Sequence, residues 1–104
     1  MTKITFNKLV RDKIPEIIKT SGKIAHVRIL DETEYKHALR NKLLEEVNEF
    51  IKDDTVEELA DITEVLLAIL KQRNLSLDEF EKKRIEKKEE IGAFEKKLWL
   101  IETE

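Results

Sequence analysis

Two stretches of helical periodicity, joined by a turn of three residues, constrain the fold of this sequence more than any other feature. Apolar side chains recur every three or four positions between residues 33 and 52, and again between residues 56 and 73. Asp53-Asp54-Thr55 separates the two stretches and offers turn and helix-capping residues. Because this connection is short, the sequence predicts two long helices that lie antiparallel and side by side.

Shorter elements are predicted on both sides of this hairpin. A helix is expected over residues 11–20, with Pro15 in its first turns, where proline is tolerated, and Gly22 as a stop signal. Residues 24–30 alternate in part between apolar and polar side chains and include β-branched residues, which favours a short strand. We expect residues 95–101 to pair with that strand in a small β appendage.

Capping signals mark the starts of the remaining helices. Asp31 stands three residues before Glu34, and Ser76 stands three residues before Glu79, which is the spacing of a capping box. The second box opens a predicted helix that ends near residue 91. The predicted fold is therefore mainly α, an antiparallel helical bundle with a small β appendage, in a single domain over residues 1–104.

The composition restricts the classes of function. The 104 residues carry a net charge of −3, which gives no general attraction to nucleic acid or to an anionic membrane. The chain has no cysteine, so disulfides, zinc–thiolate sites and thiol catalysis are excluded. The most apolar run, residues 65–70, is too short to span a bilayer, and the first residues lack the apolar core of a signal peptide. We expect a cytoplasmic protein that binds neither nucleic acid nor membranes.

Four carboxylates on the two long helices lie where an ordinary amphipathic helix would not place them. The pattern is Glu46-x-x-Glu49 on the first helix and Glu58-x-x-Asp61 on the second, so the members of each pair share a helical face. At about 100° per residue, Glu58 falls within the apolar arc of its helix and Asp61 falls at the edge of that arc. A buried, unpaired carboxylate is costly, and a bound cation removes that cost.

Antiparallel packing brings these four carboxylates towards one end of the predicted bundle. Without a metal, such charges raise one another's pKa values. Mg²⁺ prefers hard oxygen ligands and is usually completed by water and substrate phosphates. More than two protein carboxylates suggests room for two ions, which together activate a water and stabilise a leaving oxygen. We therefore expect Mg²⁺, with Mn²⁺ as a substitute, at Glu46, Glu49, Glu58 and Asp61.

Five stretches, which together extend over nearly the whole chain, resemble one known family. They read N-K-L-V-R-D-K-I-P-E-I-I, R-I-L-D, K-L-L-E-E-V-N-E-F, E-E-L-A-D-I-T-E-V and G-A-F-E-K, the last with one extra Lys. The chain looks like a small MazG-like, phosphoribosyl-ATP-pyrophosphohydrolase-like protein of the all-α nucleoside triphosphate pyrophosphohydrolase superfamily. It departs from the family in two places. The gap between the acidic motifs is shorter than in the larger MazG proteins. Residues 90–94 read E-I-G-A-F where the family usually has Arg-Gly-Gly-Phe, so an arginine is lost.

The resemblance implies Mg²⁺-dependent hydrolysis of a nucleotide between its α and β phosphates, which yields a monophosphate and pyrophosphate. By their positions in the motif, Glu46, Glu49, Glu58 and Asp61 match the metal ligands of the family, and Glu45 matches the first glutamate. The chain lacks cysteine, a G-x-x-x-x-G-K-[ST] loop and histidines at useful spacing, so we expect a metal-activated water rather than a covalent intermediate. Water is predicted to attack the α-phosphorus, with Glu45 or Glu49 as the group that takes its proton.

Basic residues are candidates for binding the substrate phosphates. Lys8 precedes the first predicted helix and Arg11 opens it, and an arginine holds phosphate through two parallel hydrogen bonds. Lys83, Arg84 and Lys87 recur at helical spacing near the end of the chain. The alternative interpretation of these three is an ordinary charged helix face, because glutamates lie among them.

Several alternatives remain open on the sequence alone. Thr55-x-x-Glu58 has capping-box spacing, which would give Glu58 a structural role, whereas a cap by Asp54 and Glu57 would leave Glu58 free. Glu45 has the alternative of a solvated helix face. The alternative function is a non-catalytic helical module that binds nucleotide or a partner chain and retains the acidic motif. A wide apolar stripe on the third helix predicts a homodimer or a higher homo-oligomer.

Overall fold

Four helices follow one another along the chain, which is described over residues 2–104 by a computed structural model. They are α1 (Ile14–Thr20), α2 (Glu32–Asp53), α3 (Val56–Gln72) and α4 (Leu77–Ile91). The prediction of a mainly α fold is confirmed. The helix expected over residues 11–20 begins later, at Ile14, because the backbone first turns between Arg11 and Ile14. Within residues 2–104, every helix is too short or too polar to cross a membrane.

Both predicted capping boxes are formed. The side chain of Asp31 accepts a hydrogen bond from the backbone N–H of Glu34 at 2.8 Å, and the Glu34 side chain accepts one from the Asp31 N–H at 3.3 Å. Ser76 and Glu79 make the same reciprocal pair at 3.1 and 3.3 Å. Each box gives partners to N–H groups that a helix start otherwise leaves unsatisfied, which explains why α2 and α4 begin where they do.

The turn between α2 and α3 is tight because a single residue reverses the backbone. Asp54 adopts left-handed angles, φ 51° and ψ 49°, and donates its N–H to the carbonyl of Phe50 at 2.8 Å. Thr55 then caps α3 by accepting a hydrogen bond from the N–H of Glu58 at 3.4 Å. The interpretation in which Asp54 and Glu57 form this cap is therefore wrong, because Asp54 ends α2 and Thr55 begins α3.

The core lies between the two long helices. Leu39 on α2 and Val65 and Leu70 on α3 are the buried apolar residues of the described chain. α4 packs against α3 but, within residues 2–104, makes no helix contact with α2. Fully burying such a side chain contributes about 1.5–3 kcal/mol, so three of them form a small core for a chain of 104 residues.

The predicted β appendage is not formed. Residues 24–30 and 95–101 contain no strand, and no backbone hydrogen bond joins the two segments in the described structure. A strand is stable only when a neighbouring backbone pairs with it, and within one chain neither segment has that partner. Their apolar side chains remain exposed, with Ile29 97% and Trp99 89% accessible.

Candidate metal and phosphate site

The turn between α2 and α3 brings an acidic triad together. One carboxylate oxygen each from Glu49, Asp53 and Glu58 lies within 4.8 Å of the other two. Glu49 and Asp53 are four residues apart on the last turns of α2, so they share a helical face. Glu58 joins them because α3 begins directly after the turn. Three carboxylate oxygens at such separations are donors that a hard divalent cation accepts.

The sequence pattern places Asp53 in the turn rather than among the metal ligands. In the structure α2 continues through Asp53 and presents this side chain on the same face as Glu49. The spacing Glu49-x-x-x-Asp53 is the sequence signal that could have identified it. Of the four expected ligands, Glu49 and Glu58 meet in the triad.

The other two expected ligands lie beside cations. The Glu46 carboxylate is 3.3 Å from the ammonium group of Lys42, one helical turn away on α2. The Asp61 carboxylate accepts a hydrogen bond from the guanidinium of Arg11 at 3.2 Å. Both carboxylates are half-buried, so these pairings offset part of the cost of removing their charge from water.

Glu45 is held between two ammonium groups. Lys8 donates to it at 2.9 Å and Lys42 at 3.0 Å. Partial burial raises the pKa of the Glu45 carboxyl, but hydrogen bonds from Lys8 and Lys42 outweigh burial, so its pKa lies below the ordinary value. Burial lowers the pKa of Lys42, whereas Glu45 and Glu46 raise it, and the net pKa lies above its ordinary value. Glu45 is therefore deprotonated at neutral pH.

Two shallow depressions meet at Glu45. One, of about 250 Å³, lies between the segment before α1 and the side of α2, and is lined by Asn7, Lys8, Leu9, Ala38, Asn41, Lys42 and Glu45. The other, of about 220 Å³, continues along α2 and is lined by Glu45, Asn48, Glu49 and Lys52. Together they place amide, ammonium and carboxylate groups on one surface that leads towards the triad.

The two groups of predicted phosphate ligands are placed differently. Lys8 and Arg11 reach the acidic motif, as their contacts with Glu45 and Asp61 show. Lys83, Arg84 and Lys87 are exposed on α4, where Arg84 binds Glu81 at 2.8 Å and Lys83 lies 3.8 Å from Glu86. In the described residues no salt bridge joins these three side chains to the triad.

Glu58 has a capping contact and a place in the triad at once. The Glu58 carboxylate accepts a hydrogen bond from the Thr55 hydroxyl. The backbone N–H of Glu58 donates a hydrogen bond to the oxygen of that hydroxyl. A carboxylate offers about four acceptor positions, so a cap does not exhaust it. The expectation that Glu58 is buried is not met, because residues 2–104 contain no fully buried charged side chain and Glu58 is half-buried.

Comparison with known proteins gives one partial likeness. Over 48 residues, 46% of this chain, the sequence is 50% identical to an uncharacterised protein of Mycolicibacterium smegmatis. The chain spans about half of the length of that relative, 49%. No family model matches the sequence. No solved structure matches it either.

Proposed function

We propose that this protein is a Mg²⁺-dependent nucleotide pyrophosphohydrolase that cleaves a nucleoside triphosphate or related nucleotide between its α and β phosphates. One observation supports this proposal most: the acidic triad at the α2–α3 turn lies on the hairpin whose other motif carboxylates are paired with Lys8, Arg11 and Lys42. A polyphosphate substrate needs both kinds of group, oxygen ligands for its metal and cations for its phosphates.

The chemistry of the donor set fits the metal. Glu49, Asp53 and Glu58 would hold Mg²⁺, or Mn²⁺ as a substitute, and the motif predicts Glu46 and Asp61 as further ligands. When bound, the ion offsets the charge of the phosphates and lowers the pKa of a water so that it attacks near neutral pH.

The residues of the chain itself perform the remaining tasks. Lys8 and Arg11, which pair with carboxylates in this structure, bind phosphate oxygens in the substrate complex, because phosphate offers the same charge and acceptor geometry. Glu45 borders both depressions and lies outside the triad, so its carboxylate accepts the proton of the attacking water once Lys8 has turned to the phosphates. Glu49 then serves as a metal ligand rather than as the base.

The proposal is tested by substitution of Glu45 and Glu58. Glu45→Gln is expected to lower kcat about 10²- to 10⁴-fold, the range for loss of a general base. Glu58→Gln is expected to weaken Mg²⁺ binding measured by calorimetry. Glu57→Gln is the matched control, because Glu57 is an exposed neighbour on the same turn of α3, and its kcat and Mg²⁺ affinity are expected to equal those of the wild type.

The reaction itself is identified with ¹⁸O-water and a panel of nucleotides. We expect Mg²⁺-dependent release of pyrophosphate and label in the monophosphate, which indicates attack at the α-phosphorus. Label only in pyrophosphate would mean attack at the β-phosphorus. Release of single orthophosphate would contradict the proposal, and nucleotide binding without turnover would identify the non-catalytic module instead.

A further inference from the structure

The segment that follows α4 is apolar on both of its sides. In an extended backbone successive side chains point in opposite directions, and residues 98–101 are Leu, Trp, Leu and Ile. We call residues 98–101 the apolar arm, which follows a turn in which the Lys97 N–H donates to the Phe94 carbonyl at 3.2 Å. Phe94 is 97% exposed, and the four apolar residues at 98–101 are each more than three-quarters exposed. A segment of this kind gains stability only when both sides are covered.

Residues 24–30 likewise have exposed apolar side chains and no backbone partner in the described chain. Ile24, Val27 and Ile29 are exposed. In the described chain, residues 24–30 and 98–104 take part in no backbone–backbone hydrogen bond. Covering their side chains without pairing their backbones would leave buried polar groups unsatisfied, so each segment needs a neighbouring strand.

The accessible surface area of the chain is much larger than that of a compact monomer of the same mass. The chain exposes 10191 Å², whereas a compact monomer of 12.3 kDa exposes about 6,100 Å². Its radius of gyration is 18.4 Å, against about 13 Å for a compact domain of this length. The excess of about 4,000 Å² is several times the roughly 800 Å² that each partner buries in a standard interface. A second copy of this chain has the same excess of exposed surface. It also carries both unpaired segments, so each copy can supply the backbone partner that the other lacks.

We propose that the apolar arm of one copy pairs as an antiparallel strand with residues 24–30 of a second copy, and that the exchange is reciprocal. Antiparallel pairing is favoured because parallel strands pair slightly less stably per residue. Two such pairs give the two-fold symmetry that is commonest among homo-oligomers. This inference does not depend on the proposed chemistry.

Cross-linking tests the pairing directly, because the chain contains no cysteine of its own. Ile24→Cys is made in one chain and Ile101→Cys in a second chain with a cleavable tag, and the two are refolded together and oxidised. Antiparallel exchange brings these positions within the reach of a disulfide, so a cross-linked heterodimer of mixed mass is expected. Leu98→Cys in place of Ile101→Cys is the matched control, since only parallel pairing brings it near position 24.

Each other cross-linking result overturns the proposal. A heterodimer formed by the Leu98→Cys chain would show parallel pairing. A disulfide within one chain of the double variant Ile24→Cys/Ile101→Cys, without mixed cross-links, would show that the arm folds back on its own copy. The absence of any cross-link would show that the segments do not meet.

Self-association is measured separately by light scattering on the full chain. The wild type is expected to be at least dimeric at tens of micromolar, and Trp99→Asp is expected to raise the dissociation constant at least about 30-fold, the effect of losing a central aromatic residue of an interface. A chain that ends at Gly92 is expected to be monomeric. A monomeric wild type, or an unchanged dissociation constant for Trp99→Asp, would overturn the proposal even if the shortened chain fails to fold.

Discussion

The α2–α3 hairpin and the two non-helical segments, residues 24–30 and the apolar arm, all carry apolar side chains, yet within residues 2–104 only the hairpin buries any of them fully. α2 and α3 meet along their lengths and cover Leu39, Val65 and Leu70. Residues 24–30 and the apolar arm leave their side chains in water. The difference comes from the backbone. A helix satisfies its own N–H and C=O groups and needs a neighbour only for its side chains, whereas a strand needs a neighbour for both.

This contrast also explains where the charged groups of the candidate site lie. The hairpin fixes Glu49, Asp53 and Glu58 by local geometry, because each belongs to the last turns of α2 or the first turn of α3. In the described residues α4 makes no contact with α2, and two of its cations, Lys83 and Arg84, pair with glutamates of α4 itself. Groups set by one tight turn can therefore form a site in a single chain, while groups on separate elements depend on packing.

The largest effect on stability is expected from a substitution inside the hairpin. Leu39 is 3% exposed, so Leu39→Ala should destabilise the protein by about 2–5 kcal/mol through lost burial and the cavity that remains. Urea unfolding followed by circular dichroism measures this loss. Leu39→Met, which nearly conserves volume, is the control and should cost less than about 1.5 kcal/mol. A loss for Leu39→Ala as small as that of the control would mean that the hairpin does not hold the principal core.

The same contrast separates what the sequence could predict from what it could not. The starts of α2 and α4 are predicted by Asp31 and Ser76, because a capping box depends only on residues three positions apart. The strands expected at residues 24–30 and 95–101 failed because period-2 alternation indicates a preference for pairing but does not supply the partner.

For the candidate site, too, the sequence predicts some of the residues and misses others. The motif spacing indicated Glu49 and Glu58, which meet at the turn. The sequence did not show that α2 extends through Asp53, because helix ends are uncertain by one or two residues. Nor did it show that Lys42 lies between Glu45 and Glu46, since an i, i+3 or i, i+4 ion pair depends on which rotamers the surroundings allow.

A smaller effect is expected at the start of α4, which has no buried residue of its own. Ser76→Ala removes the acceptor for the N–H of Glu79 and should cost about 1 kcal/mol, whereas Ser76→Gly should cost only a few tenths. Because α4 packs only on α3 among the helices, the loss should appear as faster amide hydrogen exchange within α4. Equal acceleration across α2 and α3 would instead show that α4 and the hairpin unfold as one unit.

The smallest effect concerns the ion pair that ties residues 24–30 to the hairpin. Arg28 donates to both carboxylate oxygens of Glu34, at 3.1 and 2.6 Å, and this pairing, with the N–H of Asp31, lowers the pKa of Glu34 to about 2. A carboxyl whose pKa is lower in the folded state stabilises the fold above its unfolded pKa and loses that contribution as pH falls through the folded value. The contribution should therefore be complete above about pH 4.5 and decline towards about pH 2. Because both side chains are exposed, solvent screening keeps it small.

Arg28→Gln isolates this pair from the other carboxylates. We expect the variant to be slightly less stable than the wild type in urea at about pH 6, and the difference to shrink as the pH is lowered through the window between the unfolded and folded pKa values of Glu34. Arg40→Gln is the control, because Arg40 is exposed on α2 and should give no such trend. A difference that stays constant from about pH 6 to about pH 3 would show that Arg28 acts by packing rather than through Glu34, and that residues 24–30 are not held to the hairpin by charge.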